Sequence, residues 1–198
     1  MASDRNSRGY GDGYQALLRA TVSVVAQRGL RGTTYRAVAE EAGVKNTLIT
    51  YHFGSRDALL VETVRWTVEE SVRQTPPRDL WGPGMPFVRS LVDMVRRDPE
   101  LQSFHYEILI EARRNPQMRE LGVLLVNSFL EAIEAALSER GYPEPRLLAR
   151  VVHAVIDGLV FQQLTMEDPE TTERALALFV EMLEQNAPGT GVAETAAP

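Results

Sequence analysis

The sequence contains no cysteine and only three histidines. Without thiols it can form neither a disulfide nor a thiolate nucleophile, and so few imidazoles leave little from which to build a metal site. No uninterrupted apolar run approaches the roughly 18 residues that would suggest a membrane span. Residues 1–14 are polar and glycine-rich, with no apolar segment of the kind a secretory signal needs. A cytoplasmic location is therefore the expectation. Catalytic signatures are equally scarce, with no nucleophile elbow, no P-loop and no HExxH. The run GYGDGY at 9–14 has glycines but no strand before it. Glu107 and Glu111 are four residues apart and could pair for acid–base work, but Arg113 and Arg114 beside them read as a solvated charged face. The chain is expected not to be an enzyme, and nothing implies a metal or cofactor.

What is present is charge unevenly distributed. The net charge of −6 divides into +3 over residues 1–65 and −9 over the remainder. An acidic body is compatible with a nucleic-acid partner if it stands away from the phosphates, because screening limits its reach to about 8 Å in physiological salt.

Periodicity indicates an all-α fold. Leu17, Leu18, Val22, Val25 and Ala26 follow helical spacing up to a stop at Gly29. Ser55 reads as the cap of a helix running to about Arg73, with Asp57 in its first turn. Residues 75–86 hold four prolines and two glycines and form the clearest internal loop. Beyond it, Asp98-Pro99, Asn115-Pro116, Gly141 with Pro143 and Pro145, and Asp168-Pro169 mark boundaries. They predict helices over 86–97, 99–114, 116–140, 145–166 and 169–186. The last two are apolar round most of their circumference, and such a helix must be buried nearly all round. A second copy can supply the cover, with Leu148, Val152, Val155, Leu159, Phe179, Met182 and Leu183 as the expected interface. The alternative is a helix central to its own bundle.

The segment Tyr35–Gly54 has the spacing of a helix-turn-helix. Its fifth residue must be small where the helices cross, and Ala39 is. Its ninth must tolerate positive φ, and Gly43 does. Apolar residues are needed at the fourth, eighth, tenth and fifteenth positions, which hold Val38, Ala42, Val44 and Ile49. Thr33 or Thr34 can cap the first helix. Lys45, Asn46, Thr47, Thr50 and Tyr51 would project from the second, a hydrogen-bonding face with no acidic residue, suited to base edges and phosphates in a major groove.

Gly32-Thr33-Thr34, the run Val38 to Val44 and the run Tyr51 to Leu60 together resemble the DNA-binding domain of the TetR family of regulators. The resemblance implies a ligand-responsive homodimer, usually a repressor, binding a palindromic operator. It matches Lys45, Asn46, Thr47, Thr50 and Tyr51 to DNA-facing positions, and Thr34, Tyr35, Arg36, His52 and Arg56 to positions near phosphates. Three residues depart from the pattern: Thr47, where a small residue is common; Thr50, where an aromatic is; and Arg56, where lysine is. Base preference therefore stays unread. His52 has a competing reading as local packing, and Arg5 and Arg8 could reach an adjacent groove or form a solvated tail.

The expected organisation is a flexible leader (1–12), a helix-turn-helix domain (13–56), a helical ligand-binding and dimerisation domain (57–186) and a disordered tail (187–198). Pocket candidates are Phe87, Leu91, Met94, Phe104, Ile108 and Phe129, with polar handles at His105, Glu111, His153 and Asp157. His153 and Asp157 share a helix face and could instead bond each other; Gly158 beside them would allow close helix approach. Trp66 and Trp81 either line the space near the loop or pack. A ligand acting on the helix 57–73 would change the spacing of the two reading heads. The alternatives are an architectural or constitutive DNA-binder without ligand and, from another class, a small all-helical enzyme.

Overall fold

A computed structural model of the chain describes residues 3–81 and 84–188, with side chains from residue 13 onward. Among the described residues there is no strand. The helices are α1 (Ser3–Gly32), α2 (Tyr35–Ala42), α3 (Asn46–Phe53), α4 (Arg56–Gln74), α5 (Pro86–Arg97), α6 (Pro99–Arg114), α7 (Arg119–Glu139), α8 (Pro145–Met166) and α9 (Pro169–Gln185), with 3-10 turns at Pro77–Trp81 and Pro116–Met118.

The punctuation residues act as their chemistry requires. Gly29 leaves the helical region (φ 65°, ψ 172°) and kinks α1. The Ser55 hydroxyl accepts from Ala58 N at 3.1 Å at the start of α4. Asp168 accepts from Thr171 N at 3.0 Å at the start of α9, and that N–H holds its carboxyl below the ordinary range. Asn115 does something different. Its side chain accepts from Gln117 N at 3.1 Å, and Met118 N closes on its carbonyl at 3.0 Å. An Asx turn and a 3-10 turn result, so α7 begins at Arg119 rather than at 116. The expected loop at 75–86 contains an ordered turn anchored by Leu80, which is buried. At the other end α1 begins at Ser3, inside the expected leader. Extending a helix already nucleated by the packed residues 17–25 adds a bond for each residue fixed. The side chains of Arg5 and Arg8, and residues 189–198 of the expected tail, lie outside the described set.

The described chain divides into two compact units, 1–69 with 100–125, and 70–99 with 126–198. In the first, α1 packs on α2 and α3 over Leu17, Leu18, Val38, Ala39, Ile49 and Phe53. Trp66 joins this cluster and takes the Arg19 guanidinium 6.0 Å from its ring centre. At Gly122 on α7, a Cβ would lie 2.7 Å from that of Ala112 on α6, so only glycine admits this approach. In the second unit α5 packs on α8 and α9, and α8 on α9. Its buried polar links include Gln163 Nε2 donating to the Val92 carbonyl at 3.0 Å and the Tyr142 hydroxyl donating to the Leu183 carbonyl at 2.9 Å. Trp81 stacks on Tyr142, with the Arg140 guanidinium 4.8 Å from its ring centre, so this tryptophan packs.

Candidate nucleic-acid interface

The Thr34 hydroxyl accepts from Ala37 N at 3.1 Å and starts α2. Thr33, buried, instead donates to the Gly29 carbonyl at 3.1 Å. Gly43 then takes the left-handed conformation (φ 66°, ψ 28°) and its N–H closes α2, so the chain turns sharply. A Cβ at Gly43 would meet no atom within 4 Å, so the constraint there is the backbone angle and not space. The region is thus two helices and not a continuous rod. α3 hangs on this turn by Ile49, fully buried, and Phe53, whose ring stacks on Tyr14 at 4.9 Å.

With that underside fixed, the other side of α3 faces solvent. Lys45, Asn46, Thr47, Thr50 and Tyr51 are all exposed, Tyr51 to 70%. They form one polar surface with no carboxylate, and Lys45 is the chain's single lysine beside twenty arginines. Leu48 lies half-buried between the two sides. This is an outward-facing helix that a major groove can admit.

The residues matched to phosphates separate. Thr34 and Arg36 are exposed and Tyr35 is half-buried. Arg36 is paired with Glu40 at 2.7 Å, one turn along α2. His52 is half-buried, its ring 5.6 Å from that of Tyr14 and 5.3 Å from that of Tyr51, both edge-on. Arg56 is half-buried and makes two further bonds. Its guanidinium donates to the Thr33 carbonyl at 2.7 Å and also to that of Leu30. It ties the start of α4 to the end of α1, because the last carbonyls of a helix lack partners within it and a cation satisfies them.

The expected ligand set is divided between the two compact units. Phe104, His105, Ile108 and Glu111 belong to the first unit; Phe87, Leu91, Met94, Phe129, His153 and Asp157 belong to the second. Phe87, Leu91, Met94, Phe104 and Ile108 are buried core residues. Glu111 instead lines a cleft of about 630 Å³ with Thr33, Thr34, Tyr35 and Arg56. His153 lies against Phe129, ring centres 5.8 Å apart; burial pushes its pKa below the ordinary value, partly opposed by Asp157. His105 is buried, with Nε2 3.0 Å from the Thr67 hydroxyl. That hydroxyl also lies 2.9 Å from the Val64 carbonyl, to which it can donate. The sequence reading missed this partner. Its signal was legible: Thr63, Thr67 and Ser71 recur every fourth residue along α4, with Thr75 just beyond its end, and all four are buried.

The expected dimer set also needs correction. Val152 and Leu183 are buried in the core of their own unit and are unavailable to a second copy. Leu148, Val155, Leu159 and Phe179 are half-buried, and Met182 is exposed. The most exposed apolar stripe of α8 is Leu147, Val151, Ala154, Gly158 and Phe161, joined on α9 by Leu178 and Met182. A Cβ at Gly158 would meet nothing within 4 Å. The α8 steps of four, three, four and three residues are those of a helix–helix seam.

The sequence matches the description of the bacterial regulatory proteins, tetR family, over residues 17–63, and that of the tetracyclin repressor-like C-terminal domain over residues 85–185. The chain belongs to the TetR family. It is 26% identical over 172 residues to the HTH-type transcriptional regulator BetI of Paraburkholderia phymatum, covering 82% of this chain and 86% of the relative. A TetR-family structure from Streptomyces coelicolor A3 superposes with a TM-score of 0.67 at 29% identity, over 89% of this chain and 98% of the other. The multidrug binding protein EbrR, in complex with imidazole, superposes with a TM-score of 0.60 at 30% identity, over 88% and 89%. This TetR-family protein is a DNA-binding transcriptional regulator.

Proposed function

We propose that the protein is a ligand-responsive repressor that binds a near-palindromic operator as a homodimer in the cytoplasm. The observation that carries the reading is the acid-free polar face of α3, held outward by buried Ile49 and Phe53. Asn46, Thr47 and Thr50 address base edges from this face, while Lys45, Tyr51 and the start of α2 at Thr34, Tyr35 and Arg36 hold the backbone. His52 and Arg56 shape the head from behind. Each protomer reads one half-site, and the pair gains affinity from simultaneous engagement.

The second copy docks on α8 and α9. In the most apolar 18-residue stretch of α8, only 22% is buried within the chain itself. That helix is long and apolar enough to cross a membrane by length and composition, as is the segment Pro116–Glu139. A partner helix supplies the same apolar cover, and Leu147, Val151 and Phe161 with Leu178 and Met182 present it with a seam. Proximity of Gly158 allows the backbones to close in.

Effector binding is supported inside the first unit. Gln102, buried on α6 one turn before His105, has an amide nitrogen without a hydrogen-bond partner. A buried donor left unmade costs about 1–3 kcal/mol, which an acceptor on a bound molecule offsets. EbrR, described as bound to imidazole and to proflavin, is a relative that takes small molecules. The effector acts only through its differential affinity for the two head spacings.

The test is a footprint of the purified full chain on the DNA flanking its own gene, at stated salt, with acylation of Lys45 followed by mass spectrometry. A protected near-palindrome together with protection of Lys45 is the expected result. Protection of DNA without regard to sequence, with Lys45 still reactive, would overturn the reading.

A further inference from the structure

We infer that the turn between α6 and α7, carrying Arg113, Arg114 and Arg119, is a further contact surface for duplex DNA that grips the phosphate backbone beside the reading head. The inference rests on the DNA-binding reading above and extends the contact surface beyond the helix-turn-helix. The end of α6 and the start of α7 belong to the same compact unit as α1, α2 and α3. The cleft of about 630 Å³ makes the neighbourhood specific: Arg31, Thr34, Tyr35 and Arg56 line it together with Asn115 and Met118 from the turn. The turn therefore adjoins the start of α2, the part of the head assigned to the phosphate backbone.

The chemistry of the turn fits a polyanion. Arg113, Arg114 and Arg119 are exposed, and no carboxylate stands between them in the sequence. They occupy seven residues of a region that is otherwise strongly acidic, with a net charge of −9 beyond residue 65. Glu111 lies half-buried in the cleft, where it faces a lining that carries two guanidinium groups, so the lining stays net cationic. Glu120 is exposed just past Arg119 and sets the limit of the basic segment. The turn is stiff: the Asn115 side chain and carbonyl each accept a backbone N–H, from Gln117 and Met118. Arginines on a fixed backbone present their planar donors to phosphate with less ordering to lose than a flexible arm would. Continuity with the head selects duplex DNA over a free anion, because a phosphate run leaving the start of α2 passes next to these side chains. Such contacts add affinity and register without reading bases.

The experiment compares the full-length parent with Arg113→Gln/Arg114→Gln/Arg119→Gln on a fluorescent duplex taken from the footprint, over a salt series. Removing one arginine–phosphate pair makes the slope of log affinity against log salt shallower by about 0.9, so the triple variant of a dimer flattens it by at least about 1.8, the value for a single pair per protomer. The ranking of operator base changes stays as in the parent. A control with Arg78, Arg96 and Arg97 changed to Gln, three exposed arginines of the other unit that lie on neither α8 nor α9, keeps the parent slope. An unchanged slope in the first variant overturns the inference, as does an equal loss in the control, which would mean that net charge alone is being read. Should the triple variant fail to fold by circular dichroism, Arg114→Gln and Arg119→Gln alone are each measured for a smaller flattening of the same sign. If the parent itself binds no duplex selectively, the DNA-binding reading fails first and this one with it; selective binding by the parent with the same slope in the triple variant leaves that reading standing and removes this one.

Discussion

Helices α3 and α8 present opposite problems. α3 has eight residues, too few to persist alone, and its inward side is Ile49 and Phe53. α8 has 22 residues and much of its apolar surface uncovered. Each leaves one face exposed to solvent, and the chemistry of that face states what would cover it. Amides, hydroxyls and one lysine on α3 ask for a polar, anionic partner. Leucine, valine and phenylalanine around a glycine on α8 ask for another apolar helix. The same all-helical architecture thus supplies the proposed reading surface at one place and the proposed assembly surface at the other.

The comparison breaks most severely if the assembly face is made charged. Val151→Glu with Leu178→Glu should leave a folded monomer by sedimentation velocity, and operator affinity should fall by on the order of a hundredfold as the second half-site is lost. A dimer persisting in that variant would place the interface elsewhere. Ile49→Ala comes next. Truncating a fully buried isoleucine under α3 should cost about 2–5 kcal/mol in denaturant titration and weaken DNA binding, while dimerisation stays intact. Thr47→Arg acts on the exposed side of the same helix. It should redistribute base preference at one or two operator positions, by about 1–3 kcal/mol per position, with the melting temperature unchanged. An unaltered binding-site selection profile would remove α3 as the reading helix.

The smallest effect concerns His153. Its pKa is held below the ordinary histidine value of about 6.5, first by burial. The unfolded chain therefore takes up this proton at a higher pH than the folded one. Its stability contribution is present above about 6.5 and is lost as pH falls from there toward the folded value. His153→Phe should lose less melting temperature between pH 7 and pH 5 than the parent does. An equal loss in both would assign the pH dependence to other groups.

Much of the fold could be read from the chain because its signals are local. Pro86, Pro99, Pro145 and Pro169 open α5, α6, α8 and α9 where proline is expected, and Gly43 supplies the positive φ that the turn needs. The seam on α8 was also present as the spacing Leu147, Val151, Ala154, Gly158 and Phe161. The apolar composition of the whole helix concealed it, since Val152 and Val160 look the same in sequence yet lie inside. Arg56 was legible as a charge beside the reading head. Its bonds to carbonyls at the end of α1 were not, because they join residues 23 and 26 positions apart.

The order of the helices, the sharp turn at Gly43 and the polar character of the surface from Lys45 to Tyr51 were determined by the amino-acid sequence itself. They depend on backbone torsions and on side-chain types within a few residues. Tertiary structure alone decided which apolar side of α8 stays uncovered, that Arg56 is committed to the end of α1, and that the α6–α7 turn lies beside the start of α2. Those outcomes depend on which distant segments meet, and burial is a property of the neighbours a residue acquires and not of the residue alone.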